Sequence, residues 1–276
     1  MRLAIIGCGY VGSAVARLWH EAGNEVTVTT TTRSRIEELQ AIASQVVVLR
    51  GDDVSALQQV VANQDLVLLS VGSKQRTPDI YRQAYLETAQ NLVEAIKANS
   101  EVKQLIYTSS YGMINYQGGD TIDETVEINP QDEFGEILAQ TEQVLLSAST
   151  DSLKACILRL TGIYGKGREL IKIFSQMTGT TRPGTGENYT NWVHLEDIVR
   201  AINFAKDRQL QGIYNLNSDE SMTSKEFFQR LFEAHSLALV TWDSSQTSPC
   251  PYNMKLSNQK IKGAGFTLAH PKIEFI

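Results

Sequence analysis

The feature that most constrains this chain is a glycine turn near its start, Gly7-Cys8-Gly9-Tyr10-Val11-Gly12. The apolar run Leu3-Ala4-Ile5-Ile6 precedes it, as a buried parallel strand requires. Ser13-Ala14-Val15-Ala16-Arg17-Leu18-Trp19 follows and reads as a helix. A G-x-G-x-x-G turn between strand and helix is the pattern that holds a dinucleotide. Gly7 makes the tight exit from the strand, Gly9 lets a pyrophosphate approach the main chain, and Gly12 lets the helix pack closely. The helix dipole and its first N–H groups then face the phosphates. All six residues of the turn, from Gly7 to Gly12, are therefore cofactor-binding candidates. Cys8, inside the turn, reads as a small packing residue.

The chain continues as alternating strands and helices. The second strand, Glu25-Val26-Thr27-Val28-Thr29, runs into Thr30-Thr31-Thr32-Arg33-Ser34-Arg35. An acid here would hold the ribose 2′-hydroxyl of NAD. None is present. Hydroxyls such as Thr31 and a guanidinium such as Arg33 suit a 2′-phosphate, so NADP is expected in preference to NAD. A helix is expected from Ser34.

Val46–Leu49 is the third strand, followed by Gly51-Asp52-Asp53-Val54, with Asp52 and Asp53 placed beside an adenine. The fourth strand starts at Asp65 and ends in Ser70-Val71-Gly72, and the fifth is Gln104–Thr108. Strand ends of this kind form the ligand crevice, which adds Ser70, Val71, Gly72 and Thr108 to the cofactor set. A long amphipathic helix is expected over Tyr81–Ala98. This alternation predicts an α/β fold, a Rossmann-type doubly wound parallel sheet with a small C-terminal substrate subdomain. Residues 1–160, with 191–216 returning to them, form the cofactor domain. Residues 161–190 and 217–276 form the substrate-binding subdomain.

Twenty-five basic and 31 acidic residues give a formal charge of −6, which argues against a nucleic-acid partner. No apolar run is long enough to span a membrane. The first strand begins so early that no leader is expected ahead of it. Cys8, Cys156 and Cys250 are too few and too scattered for a disulfide framework or a metal site. A cytoplasmic protein without a metal is expected.

The order of these motifs resembles the extended short-chain dehydrogenase/reductase superfamily of NAD(P)-dependent epimerases and dehydratases. The resemblance covers nearly the whole chain. It takes in the glycine turn, Asn91, Ser109-Ser110, Asp123-Glu124-Thr125, Arg159-Leu160-Thr161-Gly162-Ile163-Tyr164-Gly165, Trp192-Val193-His194-Leu195-Glu196-Asp197 and Tyr214-Asn215. Two features depart from it. Ile6 stands where the first glycine of the wider G-x-x-G-x-x-G spacing would be. The catalytic Tyr-x-x-x-Lys pair is replaced, because Phe134 occupies the tyrosine position and Leu138 the lysine position. The chain thus resembles an atypical branch of the superfamily.

In the usual mechanism that the resemblance implies, the tyrosine moves the proton while the nicotinamide moves a hydride. Phe134 and Leu138 can do neither part. Ser110 matches the catalytic serine, and Tyr111 or Tyr116 in the following loop could supply a hydroxyl. On the substrate side, Lys166 and Arg168 form a cationic loop before an apolar helix, which suits a diphosphate or is a solvated turn. His194 is a substrate-binding candidate, or a structural residue pairing with Asp197. Two functions stay open: an NADP-dependent oxidoreductase or epimerase acting on a sugar nucleotide or another small polar substrate, and a catalytically degenerate NADP-binding sensor or regulatory protein. The resemblance also implies a homodimer through the helices at Tyr81–Ala98 and Glu133–Leu146, with a monomer as the alternative.

Overall fold

The computed structural model describes residues 1–73, 75–98, 101–250 and 252–275. The chain divides into two compact units. The first holds residues 1–113, 130–159 and 199–214, and the second holds 114–129, 160–198 and 215–276.

A seven-stranded sheet organises the first unit. Its first five strands in the chain are β1 (Arg2–Ile6), β2 (Glu25–Thr30), β3 (Gln45–Val48), β4 (Leu66–Leu69) and β5 (Gln104–Ser110). From one edge the order is Gly212–Leu216, Lys154–Leu160, β5, β4, β1, β2, β3. β1 is parallel to both neighbours, with Leu3 opposite Val26 on one side and Leu66 on the other. The order therefore reverses at β1, the switch point where open α/β sheets bind ligands at their strand ends. Leu3, Ala4, Ile5 and Ile6 are at most 1% exposed, as expected of a strand covered on both faces.

The helices α1 (Tyr10–Glu21), α2 (Ile36–Gln40) and α3 (Val54–Val61) join the first four strands. α1 buries Val11, Gly12, Val15, Ala16 and Trp19, the apolar stripe of a helix lying on a sheet. α3 packs with Leu57, Val60 and Val61 into a core that also contains Ile6, Leu92 and Tyr107.

The long helix differs from the uninterrupted one expected over Tyr81–Ala98. α4 (Pro78–Arg82) starts three residues earlier, because proline at the first helical position wastes no hydrogen bond. A π-helical turn, Gln83–Glu87, then leads into α5 (Thr88–Lys97). The Thr88 hydroxyl donates to the Gln83 carbonyl at 2.8 Å across that widened turn. The helix expected from Ser34 is also corrected. Arg33–Arg35 form a tight 3₁₀ turn and α2 begins only at Ile36. α6 (Glu133–Leu146) is capped by Asp132, whose carboxylate accepts from the Gly135 N–H at 2.8 Å.

The second unit is built from short strand pairs. Gly162–Tyr164 lies parallel to Trp192–His194, Thr181–Pro183 to Thr241–Asp243, and Thr121–Ile122 to Lys255–Leu256. Tyr189–Thr190 and Met222–Thr223 pair antiparallel. Its core is aromatic: Trp192 stacks on Phe227 at 5.0 Å, and Phe174 meets Phe228 edge-on at 5.2 Å. Among the described residues no helix is long and apolar enough to cross a membrane.

Candidate cofactor and catalytic site

β1 delivers the chain into the glycine turn at the sheet's switch point. Gly7 has φ of +91°, the left-handed region that favours glycine, and a Cβ there would lie 2.7 Å from the Ser70 carbonyl oxygen. The Gly7 N–H donates to the Thr29 hydroxyl at 2.9 Å, and the Cys8 N–H to the Thr29 carbonyl at 2.8 Å. The turn is therefore tied to the end of β2. At Gly12 a Cβ would lie 2.7 Å from the Gly7 carbonyl oxygen, so close packing excludes a side chain.

Gly9 is different. A Cβ there meets nothing within 4 Å among the described residues. The space in front of Gly9 is open, at the N-terminus of a 12-residue helix with no side-chain cap and no acid in its first turn. That combination fits a dinucleotide pyrophosphate: room at the main chain, and a helix end with no carboxylate of its own.

The two arginines after β2 take different places. Arg33 is exposed. Arg35 instead reaches the turn. Its guanidinium donates to the Cys8 carbonyl oxygen, and to the Ser13 hydroxyl at 3.3 Å. Glu38 holds it from the other side, at 2.7 Å and 3.1 Å. Two residues apart in the 3₁₀ turn, Arg33 and Arg35 face different sides. Thr31 is exposed. Burial raises the Cys8 thiol pKa, against a smaller lowering by the Ser13 hydrogen bond and the Arg35 charge, in keeping with the packing role.

Asp53 caps α3, accepting from the Ala56 N–H at 3.0 Å, whereas Asp52 is exposed and 3.6 Å from Arg50. Between them and β3, Gly51 packs so closely on α5 that a Cβ would overlap the Thr88 side chain. Asn91 donates to the Gly51 carbonyl at 2.8 Å. At the end of β4, the Ser70 N–H donates to Ile6 at 2.8 Å, and the Thr108 hydroxyl donates to Ser70 Oγ at 3.1 Å. Val71 follows, with its Cγ1 2.9 Å from the position of a Cβ on Gly7. Gly72, like Gly9, has no atom within 4 Å of a built Cβ among the described residues.

Ser110 ends β5, and its hydroxyl accepts from the Gly112 N–H at 3.1 Å. Tyr111 is buried. Tyr116 lies in the second unit, where its hydroxyl donates to Asp120 at 2.6 Å. Leu138 is 4% exposed, so its side chain is core. Phe134 is only half-buried. It meets Tyr81 edge-on at 5.1 Å, and the Arg76 guanidinium lies 4.9 Å from its ring centre. Tyr81 in turn packs on Tyr85 at 4.4 Å. This tyrosine pair with an arginine was not expected from the sequence. Arg76 lies just before α4, Tyr81 within it and Tyr85 in the π-helical turn, and only the fold sets them against Phe134.

In the second unit, Lys166 and Arg168 are exposed on a tight turn closed by Gly165 and Arg168. The helix that follows, Leu170–Phe174, has only five residues, with Glu169 at its N-cap position. The Glu169 carboxylate accepts from the Gly167 N–H at 2.9 Å and pairs with Lys172 at 2.8 Å. Those bonds bring its pKa down to about 2. Burial lowers the His194 pKa, and the Asp197 charge acts in the opposite direction. The Asp197 carboxylate, fully buried, accepts from the Ala269 and His270 N–H groups at 2.6 Å and 2.9 Å. The His194 ring lies 3.7 Å from that of His270.

A family model described as NAD dependent epimerase/dehydratase family matches residues 4–216. Protein YeeZ of Escherichia coli (strain K12) is 28% identical over 239 residues, covering 83% of this chain and 82% of YeeZ. Two solved structures superpose on nearly the whole chain. MoeE5, in complex with UDP-glucose and NAD, has a TM-score of 0.79 at 17% identity, over 97% of this chain and 93% of its own. UDP-N-acetylglucosamine 4-epimerase from Methanobrevibacter ruminantium M1, in complex with UDP-N-acetylmuramic acid, has a TM-score of 0.81 at 17% identity, over 96% and 92%. At these identities the likeness speaks for the fold.

Proposed function

The chain belongs to the NAD dependent epimerase/dehydratase family, and from that we propose that it binds a nicotinamide dinucleotide at the Gly7–Gly12 turn and acts on a sugar nucleotide or another small polar substrate. The observation that carries this is the open space at Gly9 beside a helix end without a cap or an acid. Gly9 and the N-terminus of α1 would take the pyrophosphate, and Ser70, Val71, Gly72 and Thr108 the rest of the cofactor. NADP is preferred to NAD in this reading, because β2 ends without an acid and Arg35 stands at the turn. When bound, the cofactor supplies hydride transfer. Residues 161–190 and 217–276 would bind substrate, with Lys166, Arg168 and His194 as its candidate contacts. MoeE5 is described with UDP-glucose, which supports the sugar-nucleotide class.

The proton step belongs to hydroxyls outside the Phe134 helix position. Ser110 would polarise a substrate oxygen, and Tyr111 or Tyr81 would hold the proton. Arg76, next to Phe134, supplies positive charge near Tyr81 that Leu138 cannot. Burial and the neighbouring Tyr85 hold the Tyr81 hydroxyl well above its ordinary range, against a smaller lowering by Arg76, so it can hydrogen-bond a substrate oxygen but gives up its proton reluctantly near neutral pH.

The test titrates tag-free protein with NADPH and NADH, then follows cofactor absorbance across a panel of nucleotide sugars. NADPH is expected to bind more tightly, and Ser110→Ala and Tyr81→Phe to lower turnover without loss of binding. Tight NADPH binding with no reaction across the panel favours the second reading, a sensor or regulatory protein. Phe134 and the buried Leu138 favour that reading, since both sit where the family's proton relay would be. A homodimer is part of the proposal, checked by light scattering at several concentrations.

A further inference from the structure

His270, in the second unit, has a carboxylate at each ring nitrogen. Its Nδ1 lies 2.7 Å from Glu274 Oε1 on its own segment. Its Nε2 lies 3.0 Å from Glu196 Oε2, at the start of the helix Leu195–Arg208. A neutral imidazole has one N–H and donates to only one of them, whereas the imidazolium donates to both. The arrangement is complete only when His270 is protonated. Neutral His270 keeps its shorter bond to Glu274 and turns a lone pair toward the Glu196 carboxylate. The bond that is lost joins the two segments.

The neighbouring His194 is the neutral ring of the pair. Its Nδ1 accepts from the Glu196 N–H at 3.3 Å and so keeps its lone pair. The two ring centres are 3.7 Å apart. Burial lowers the His194 pKa and the His270 charge lowers it further, against Glu274, Asp197 and Glu196. At His270 burial is the largest single influence and also acts downward, but the bonds to Glu196 and Glu274 and the Asp197 charge outweigh it, and the net shift is upward. The other groups on this segment hold main-chain atoms. Asp197 accepts from the Ala269 and His270 N–H groups, Glu220 from the Ile273 N–H at 2.9 Å, and the Tyr164 hydroxyl from the Glu274 N–H at 3.2 Å. Arg230 pairs with Glu220 at 2.8 Å. Burial pushes the Tyr164 hydroxyl up to about 12, so it stays neutral while His270 titrates.

We propose that His270 is a proton-operated latch, which fastens residues 269–274 to the start of the helix at Glu196 when charged and loosens them when neutral. The folded pKa lies above the ordinary 6.5. The latch is therefore fully closed below about 6.5 and opens as pH rises through the folded value. The bonds from Asp197, Glu220 and Tyr164 persist, so opening loosens the segment without detaching it. The latch does not depend on the cofactor reading.

The experiment uses the full chain with isotope-labelled histidine. Ring signals followed by NMR give each midpoint, and hydrogen exchange, corrected for intrinsic rates, gives the protection of amides 269–274 across the same pH range. The His270 midpoint is expected above 6.5, and protection should fall by up to about tenfold per pH unit between 6.5 and that midpoint. Glu274→Gln should lower the midpoint by about one pH unit. Glu196→Gln should remove the pH dependence of protection, because an amide accepts from the imidazolium and donates to the neutral ring. A wild-type His270 midpoint at or below 6.5, protection that does not change through it, or an unaltered pH dependence in Glu196→Gln would overturn the proposal. The wild-type measurements decide by themselves should a variant fail to fold.

Discussion

The guanidinium of Arg35 donates to the main-chain oxygen of Cys8, in the middle of the glycine turn. A residue 27 positions away thereby braces the loop that receives the cofactor's phosphates. Arg33, its near neighbour in the sequence, is exposed.

This pairing separates the two arginines experimentally. Arg35→Ala is expected to weaken NADPH binding about 10- to 100-fold, the value of a hydrogen bond to a charged group. Arg33→Ala should cost less. Fluorescence titration with NADPH and NADH for each variant checks this, and a larger loss from Arg33→Ala would return the role to that residue.

Gly9 and Gly12 should part in the same way. A Cβ at Gly9 meets no described atom within 4 Å, whereas one at Gly12 lies 2.7 Å from a carbonyl oxygen. Gly9→Ala is therefore expected to keep its stability within about 0.5 kcal/mol while losing NADPH affinity by about tenfold or more. Gly12→Ala should lose about 1–3 kcal/mol of stability through overpacking. Urea unfolding and cofactor titration on both variants separate folding from binding.

Arg159 and Glu142 form an ion pair at 2.8 Å, with side chains 3% and 4% exposed. Glu142→Ala leaves a buried guanidinium without its partner, at a cost of about 3–5 kcal/mol. Replacing both by residues of similar volume, as Glu142→Leu with Arg159→Met, should recover most of that loss. A double variant less stable than Glu142→Ala would refute the desolvation account.

The three cysteines should react unequally. The thiolate is the nucleophile, and burial raises the Cys8 pKa. Cys156 is fully buried, and Cys250 is partly exposed. Native protein at neutral pH should therefore titrate one thiol rapidly with a disulfide reagent, and three in denaturant. Cys250→Ser should remove the fast phase.

The sheet and its glycine turn were legible because their signal is local. An apolar run, three spaced glycines and a helix leave few alternatives. The missing acid after β2 was equally plain, but which arginine serves the turn was not. The hydrogen bond from Arg35 to Cys8 spans 27 residues, and nothing local marks it. Asp53 was read as a ligand contact and its cap of α3 was not foreseen, although an Asp before a helix fits both descriptions in the sequence. His270 was missed altogether. Its partners, Glu196 and Glu274, give no signal until the fold brings residues 194–197 and 269–274 together.

The π-helical turn at Gln83–Glu87 places one extra residue in the helix that carries Tyr81. A single residue corresponds to about 100° of rotation around a helix axis. The meeting of Tyr81 with Phe134 is consequently a matter of phase. Were residue 84 deleted, the turn would tighten to ordinary α geometry while Thr88 and Leu92 kept their seats in the core. Everything upstream would then rotate by roughly a quarter of a circle. Tyr81 and Arg76 would leave the Phe134 ring with no change in their own identity. What surrounds Phe134 is thus set by insertion and deletion as much as by substitution.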